Sequence, residues 1–207
     1  MIITEKTIAA QIYSLEKHSH QSYEEGVPYA VHLILVSNFV QKYLYLLPKS
    51  TWEWAICGGW LHDVREDLGI SYNKIKLLFG LEVAEICYNL TNNDGRNRKE
   101  KAINTYGPKT STNRLCLYDK LCDRLGNVQY GLLKPQGSML KTQKEEFAYM
   151  VEILYIKGEY DDMWNELADM LNVPRPDGIS NYTYNGAYFY SKADYKLDSF
   201  KKEIETK

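Results

Sequence analysis

Apolar residues recur at helical spacing along most of the chain. Ile8, Ile12 and Leu15 lie three or four positions apart and predict a first helix from about Thr4 to His20. A turn follows at Glu24-Glu25-Gly26-Val27-Pro28, and a second helix runs from about Tyr29 to Leu46, ending before Pro48. Ser50-Thr51-Trp52-Glu53 has the form of a capping box opening a helix into TWEWAICGGWLHDVRED. Ser71 caps a short helix that Gly80 stops, and LEVAEICYNLT forms another. The stretch from Asn92 to Asn97 is polar and turn-like. A basic helix, RKEKAINTYG, ends at Gly107-Pro108, and NRLCLYDKLCDRLGNVQYGLL is long and amphipathic. Two further helices are expected over Lys141 to Ile156 and Tyr160 to Leu171. No strong hairpin signal precedes residue 172 and no internal repeat is visible, so the expected fold class is all-α.

The pattern breaks at Val173. The segment VPRPDGISNYTYNGAYFYSKADYKLDSF lacks helical periodicity and contains two prolines, two glycines and five tyrosines. The expected organisation is therefore one domain over 1–172 and a Tyr-rich extension over 173–207. An Asn-Gly turn between alternating aromatics in YTYNGAYFY allows a small hairpin. The alternative is an extended arm packing on its own domain or on a second subunit of a homo-oligomer.

Composition narrows the class. The chain has 207 residues, 44% of them hydrophobic and 25% charged, which excludes disordered and fibrous classes. A chain of this length buries roughly 70% of its unfolded surface and can build a full core. The net charge of −2 argues against a general nucleic-acid coat. The longest apolar stretch, around Trp54 to Leu61, is interrupted by Gly58 and Gly59, and it is far short of the ~20 residues a membrane span needs. Cys57, Cys87, Cys116 and Cys122 form no CxxC pair and fit buried free thiols. With a first helix that carries charge and has no hydrophobic signal region, they point to a cytoplasmic protein. Only four histidines are present, so a metal site must use most of them or recruit carboxylates.

The residues that carry chemistry begin at His62-Asp63-Val64-Arg65-Glu66-Asp67. On a helix, His62 shares a face with Glu66, and Asp63 with Asp67. Four ionisable groups at the end of a buried helix are costly unless a cation or counter-charges meet them. Taken alone, the motif also fits a solvated helix end with an Arg65 salt bridge. His32 lies in the first turn of another apolar helix, and Asp123 and Asn127 share a face one turn beyond Lys120. His32, His62, Asp63 and Asp123 together supply two imidazoles and two carboxylates. That set suits an octahedral divalent ion with open positions, such as Mn²⁺ or Fe²⁺, rather than a closed zinc site. Glu66 and Asp67 would then activate or orient a water.

The order H…HD…D resembles the HD-domain metal-dependent phosphohydrolases. KHSHQ (Lys17–Gln21), GVPYAVH (Gly26–His32), GGWLHDVRED (Gly58–Asp67), Phe79-Gly80, Leu90-Thr91, RKEKA (Arg98–Ala102) and KLCDRLGNV (Lys120–Val128) narrow the likeness. In order, from about residue 5 to 155, they resemble the hydrolase domain of RelA/SpoT-type proteins, and in particular the stand-alone small alarmone hydrolases. The resemblance implies an HD-domain helical bundle around one Mn²⁺, with Fe²⁺, Co²⁺ or Zn²⁺ as alternatives. It implies His32, His62, Asp63 and Asp123 as ligands and Glu66 and Asp67 as the catalytic acidic pair. The implied reaction is hydrolysis of the 3′-pyrophosphate of ppGpp or pppGpp to GDP or GTP plus pyrophosphate. Arg98, Lys99 and Lys120 would meet phosphate charge, and Asn127 would hold the sugar or a water.

One departure stands out. Where the family usually carries an Arg-Lys pair facing the guanine and phosphates, this chain has Tyr23-Glu24. Tyr23 can still stack on a base. Glu24 would repel a phosphate if it pointed inward, and the missing charge could be relocated to Arg96 or Lys101. The substitution leaves open an HD nucleotidase acting on another nucleotide, such as a dNTP or NADPH. A non-catalytic nucleotide-binding module is a further alternative, disfavoured by the intact HDVRED.

Overall fold

The computed structural model describes residues 3–134 and 138–176. The chain divides into two compact units, Met1–Gly126 and Asn127–Lys207. The extension expected from residue 173 is described only as far as residue 176, and the hairpin expected within YTYNGAYFY lies outside the described residues.

The first unit is built from helices. α1 (Glu5–Lys17) is followed by a two-stranded antiparallel ribbon, β1 (Ser22–Glu24) and β2 (Val27–Pro28), and then by α2 (Ala30–Tyr43), α3 (Trp52–Leu61), α4 (Tyr72–Phe79), α5 (Leu81–Leu90) and α6 (Arg98–Tyr106). α7 (Arg114–Leu133) contains the division between the units. The second unit has α8 (Met139–Leu154) packed on α9 (Asp161–Leu171), with Phe147, Met150, Trp164 and Leu167 buried. The all-α expectation holds, with the ribbon as the one sheet among the described residues. Its reversal uses Gly26 at φ 75, a left-handed conformation that glycine adopts without steric cost.

α3 packs against α1, α2 and α5. It is apolar all round, and Ala55, Cys57, Gly58, Gly59 and Leu61 are buried. Its two glycines mark close approaches. A Cβ at Gly58 would lie 2.2 Å from Asp119 Oδ2, and one at Gly59 would lie 2.6 Å from Val40 Cγ2. Ser71 caps α4, its hydroxyl accepting from the Lys74 amide, and Gly80 ends that helix at φ 95. The four cysteines are free and buried. Among the described residues no helix is long and apolar enough to cross a membrane.

Two local expectations are corrected, and the helix expected at the start of the chain buries a face other than its isoleucines. On α1 the buried face is Thr7, Ala10 and Ser14, whereas Ile8 and Ile12 are exposed. Packing against α3 selects the small side chains, which let the two helices approach. The capping box expected at Ser50–Glu53 does not form. Thr51 donates to the Pro48 carbonyl, and Glu53 instead meets Lys6 and Thr4. A capping box does form at Thr4, paired with Thr7. Finally, α3 stops at Leu61, and residues 62–68 form a run of turns rather than a continued helix. The carbonyls that would extend the helix are engaged otherwise. Gly59 O accepts from His62 Nδ1, and Leu61 O accepts from the Val64 amide and the Cys87 thiol. His62 and Glu66 therefore do not present one common helical face.

Candidate metal centre

Three segments bring the expected ligands together. His32 sits in the first turn of α2, His62 and Asp63 directly follow α3, and Asp123 lies on α7. The Nε2 atoms of His32 and His62 are 3.0 Å apart. Asp63 Oδ2 is 2.6 Å from His62 Nε2 and 3.3 Å from His32 Nε2, and Asp123 Oδ1 is 3.5 Å from His32 Nε2. Both imidazoles and Asp123 are buried, and Asp63 is half-buried.

This geometry can hold a cation. His32, His62 and Asp123 each offer a ligand atom within 4.8 Å of the others. His62 Nδ1 lies 2.8 Å from the Gly59 carbonyl, which fixes a proton on Nδ1 and turns Nε2 toward the cluster, where it can bind a cation on losing its own proton. Two nitrogens and two carboxylate oxygens form a mixed donor set of the kind borderline divalent ions take. The donor chemistry thus fits a divalent metal.

The electrostatics are tightly shared. Burial works against charge on His62, yet Asp63 and Asp123 outweigh it and push the imidazole up to about 9. Burial would raise Asp63, but His62 and His32 hold it well below the usual carboxylate range. Burial likewise opposes ionisation of Asp123, while Lys120 and His62 hold that carboxyl low. Lys120 is buried and donates to Asp123 Oδ2 at 3.0 Å. The residue expected to meet phosphate charge is therefore ion-paired with a carboxylate of the candidate metal site.

The acidic pair diverges. Glu66 accepts from the backbone amide of Asn92 at 3.0 Å and from its side-chain amide at 2.8 Å. Asp67 accepts from Gln21 Nε2 at 2.7 Å. Arg65 lies over the Tyr88 ring, 5.4 Å from its centroid. Tyr23 stacks on His32, with 4.9 Å between ring centroids, and Glu24 is exposed on the ribbon. Arg98 and Lys99 open α6 and are exposed, and Asn127 is half-buried on α7, four residues after Asp123.

Sequence reasoning gave no role to Tyr29, although the quoted GVPYAVH contains it. Its hydroxyl donates to Asp63 Oδ2, its ring stacks on His18, and His18 Nδ1 meets Gln21 Oε1 at 2.6 Å. KHSHQ thereby connects Asp63, through Tyr29, with Asp67, through Gln21. Asn92 opens the turn-like stretch, and the Leu90-Thr91 motif just before it is the signal in the sequence that points to it.

Comparisons with known proteins bear on the fold and the family likeness. No family model matches the chain. A guanosine-3′,5′-bis(diphosphate) 3′-pyrophosphohydrolase from Spiroplasma citri is 25% identical over 164 residues, covering 73% of this chain and 21% of that protein. The Aquifex aeolicus protein of the same name is 27% identical over 159 residues, covering 72% of this chain and 22% of the relative. The chain thus spans about a fifth of the length of these curated relatives. A solved structure described as "A metazoan ortholog of SpoT hydrolyzes ppGpp and plays a role in starvation responses" superposes with a TM-score of 0.64 at 20% identity. That match covers 82% of this chain and 96% of the other. The chain has the fold of the SpoT-type hydrolases and is similar to them in sequence. Its helical bundle is accounted for by that likeness.

Proposed function

We propose that the chain is a divalent-metal-dependent phosphohydrolase that removes the 3′-pyrophosphate of guanosine-3′,5′-bis(diphosphate) or its triphosphate analogue. The observation that carries this reading is the convergence of His32 Nε2 and His62 Nε2, 3.0 Å apart, with Asp63 and Asp123 beside them. The names of the sequence relatives point to the same substrate.

In this reading His32, His62, Asp63 and Asp123 hold the ion, with Mn²⁺ as the proposed metal. A divalent ion held there supplies a Lewis acid and makes water a better nucleophile near neutral pH. Tyr29 orients Asp63, and Lys120 balances the charge of Asp123. Glu66, pinned by Asn92, and Asp67, held by Gln21, are positioned to orient the attacking water and exchange its proton. By their place in the motif, Arg98 and Lys99 meet phosphate charge from the exposed start of α6.

A second reading, hydrolysis of a different nucleotide, is favoured by the ribbon. Tyr23 stacks on His32 and Glu24 carries an anion where a cation would serve a guanosine polyphosphate. Incubation of the purified chain with Mn²⁺ and a panel of ppGpp, pppGpp, dNTPs and NADPH decides between them. Release of pyrophosphate from ppGpp is the expected result. Turnover of a dNTP or NADPH with inert ppGpp sinks the first reading. Binding of nucleotide without turnover of any member sinks both.

A further inference from the structure

A cavity of about 320 Å³ opens beside Glu66, at the lower end of the range of small-molecule pockets. Its wall includes Arg65, Glu66, Thr91, Asn92, Asp94 and Lys101. Two cations and two carboxylates thus face one space. The carboxylate of Glu66 already accepts two hydrogen bonds from Asn92, which partly meet its charge. The cations are less well provided for. Arg65 Nε is buried and has no hydrogen-bond partner, a costly state for a charged donor. The guanidinium shares the Tyr88 ring with Lys109, whose Nζ is 4.4 Å from the ring centroid. Burial pushes the Lys109 ammonium down, and the like charge of Arg65 adds to that.

Lys101 is exposed on α6 and is held in place through its backbone. The loop before the helix runs so close that a Cβ at Gly95 would lie 2.6 Å from Lys101 N. Arg96, in the same loop, is engaged otherwise, since its Nε and backbone amide both donate to Glu100. The loop thus ties up one cation and leaves another in the cavity wall. An arginine fork and a lysine ammonium around one polar cavity match a phosphate or diphosphate group, which takes paired N–H donors from the first and a point charge from the second.

We propose that the cavity beside Glu66 is a phosphate-binding subsite, with Arg65 and Lys101 as its cations. Anion binding at this place stands on the cavity itself, and its service to catalysis rests on the phosphohydrolase reading above. Glu66 lines the cavity and lies three residues after Asp63 in one run of turns, so a diphosphate seated there is close to the proposed chemistry.

Calorimetric titration of the full chain, as purified, with inorganic pyrophosphate tests the subsite. The variants are Arg65→Gln, Lys101→Gln, the double variant and Arg96→Gln, each checked for equal metal content. Pyrophosphate affinity should fall about tenfold in each single variant, as expected for a lost charged hydrogen bond, and further in the double variant. Arg96→Gln should bind like wild type, and Arg65→Lys, which keeps the charge without the fork, should fall between wild type and Arg65→Gln. Unchanged affinity in the double variant overturns the subsite. A divalent cation lost from the cavity in Asp94→Asn, with no pyrophosphate bound there, also overturns it. The two proposals fail separately. Pyrophosphate binding that depends on Arg65 and Lys101 without turnover of any nucleotide defeats the phosphohydrolase reading alone. Nucleotide turnover whose KM is unmoved in the double variant defeats the subsite alone.

Discussion

The hydroxyl of Tyr29 donates to Asp63 Oδ2 at 2.5 Å, joining the residue before α2 to the residue two positions after α3. That carboxylate oxygen also lies within 3.3 Å of both imidazole Nε2 atoms. One hydroxyl therefore sets the direction of a proposed ligand. Partners of this kind are typically worth 10–100-fold in metal affinity. Tyr29→Phe keeps the ring against His18 and removes only the hydrogen bond. It should weaken metal binding by about that factor in a chelator competition, with the helical signal intact. Unchanged affinity would show that Asp63 needs no such support.

Loss of a proposed ligand should be more severe. His62→Ala or Asp63→Ala removes one of four donors from a buried cluster, and metal content by mass spectrometry should drop to background. Stoichiometric metal in either variant refutes the ligand set.

The same cluster predicts a pH dependence for protein stripped of metal by a chelator. His62 is pushed from 6.5 up to about 9. A folded value above the unfolded one means stability that is fully present below about pH 6.5 and is lost as pH rises through about 9. The melting temperature of the stripped protein should fall across that window, and His62→Gln should flatten the fall. Metal loading at neutral pH should release protons, seen as a dependence of the binding heat on buffer ionisation.

Glu66 is exposed and pinned by Asn92, and it has no place in the proposed ligand set. Glu66→Gln should retain metal and lose turnover by roughly 10²–10⁴-fold, the scale of acid–base groups. A variant with full activity would remove Glu66 from the chemistry.

Asp119 gives a test of the core behind the site. It is fully buried on α7, neither carboxylate oxygen has a hydrogen-bond partner, and burial raises its pKa well above the usual carboxylate range. A raised folded value means a contribution present below the ordinary value of about 3.9 and lost as pH rises. Asp119→Asn should therefore lose less stability than wild type between acid and alkaline pH. Parallel stability curves would contradict this. At the neighbouring contact, Gly58→Ala drives a methyl to 2.2 Å from Asp119 Oδ2 and 2.9 Å from Ile86 Cγ2. It should cost about 1–3 kcal/mol in denaturant unfolding. Gly107→Ala, whose new atom meets nothing closer than 3.9 Å, is the control and should cost much less.

Much of this was legible along the chain. Period and caps placed α2, α4 and α6 closely, because Pro28, Ser71, Gly80 and Gly107 act through local backbone geometry. Three features have tertiary causes. The buried face of α1 is chosen by α3, so the residues of highest hydropathy, Ile8 and Ile12, are left outside. The helix through HDVRED ends early because Gly59 and Leu61 give their carbonyls to His62, Val64 and Cys87. Glu53 left its expected capping role for Lys6 and Thr4, residues at the far end of the chain's first helix from His18.

By itself the sequence determined which groups are available: two histidines and two aspartates that suit a metal, on or directly after helices with apolar faces. Those properties are local, since periodicity and residue type are read a turn at a time. Only the tertiary structure decided where each polar group points. Tyr29 reaches Asp63, Asn92 holds Glu66, Lys120 neutralises Asp123, and Arg65 and Lys101 face one cavity. The bonds of Tyr29 and Asn92 span 34 and 26 residues. A hydrogen bond depends on distance and angle in space, and no pattern of residue types along the chain encodes either.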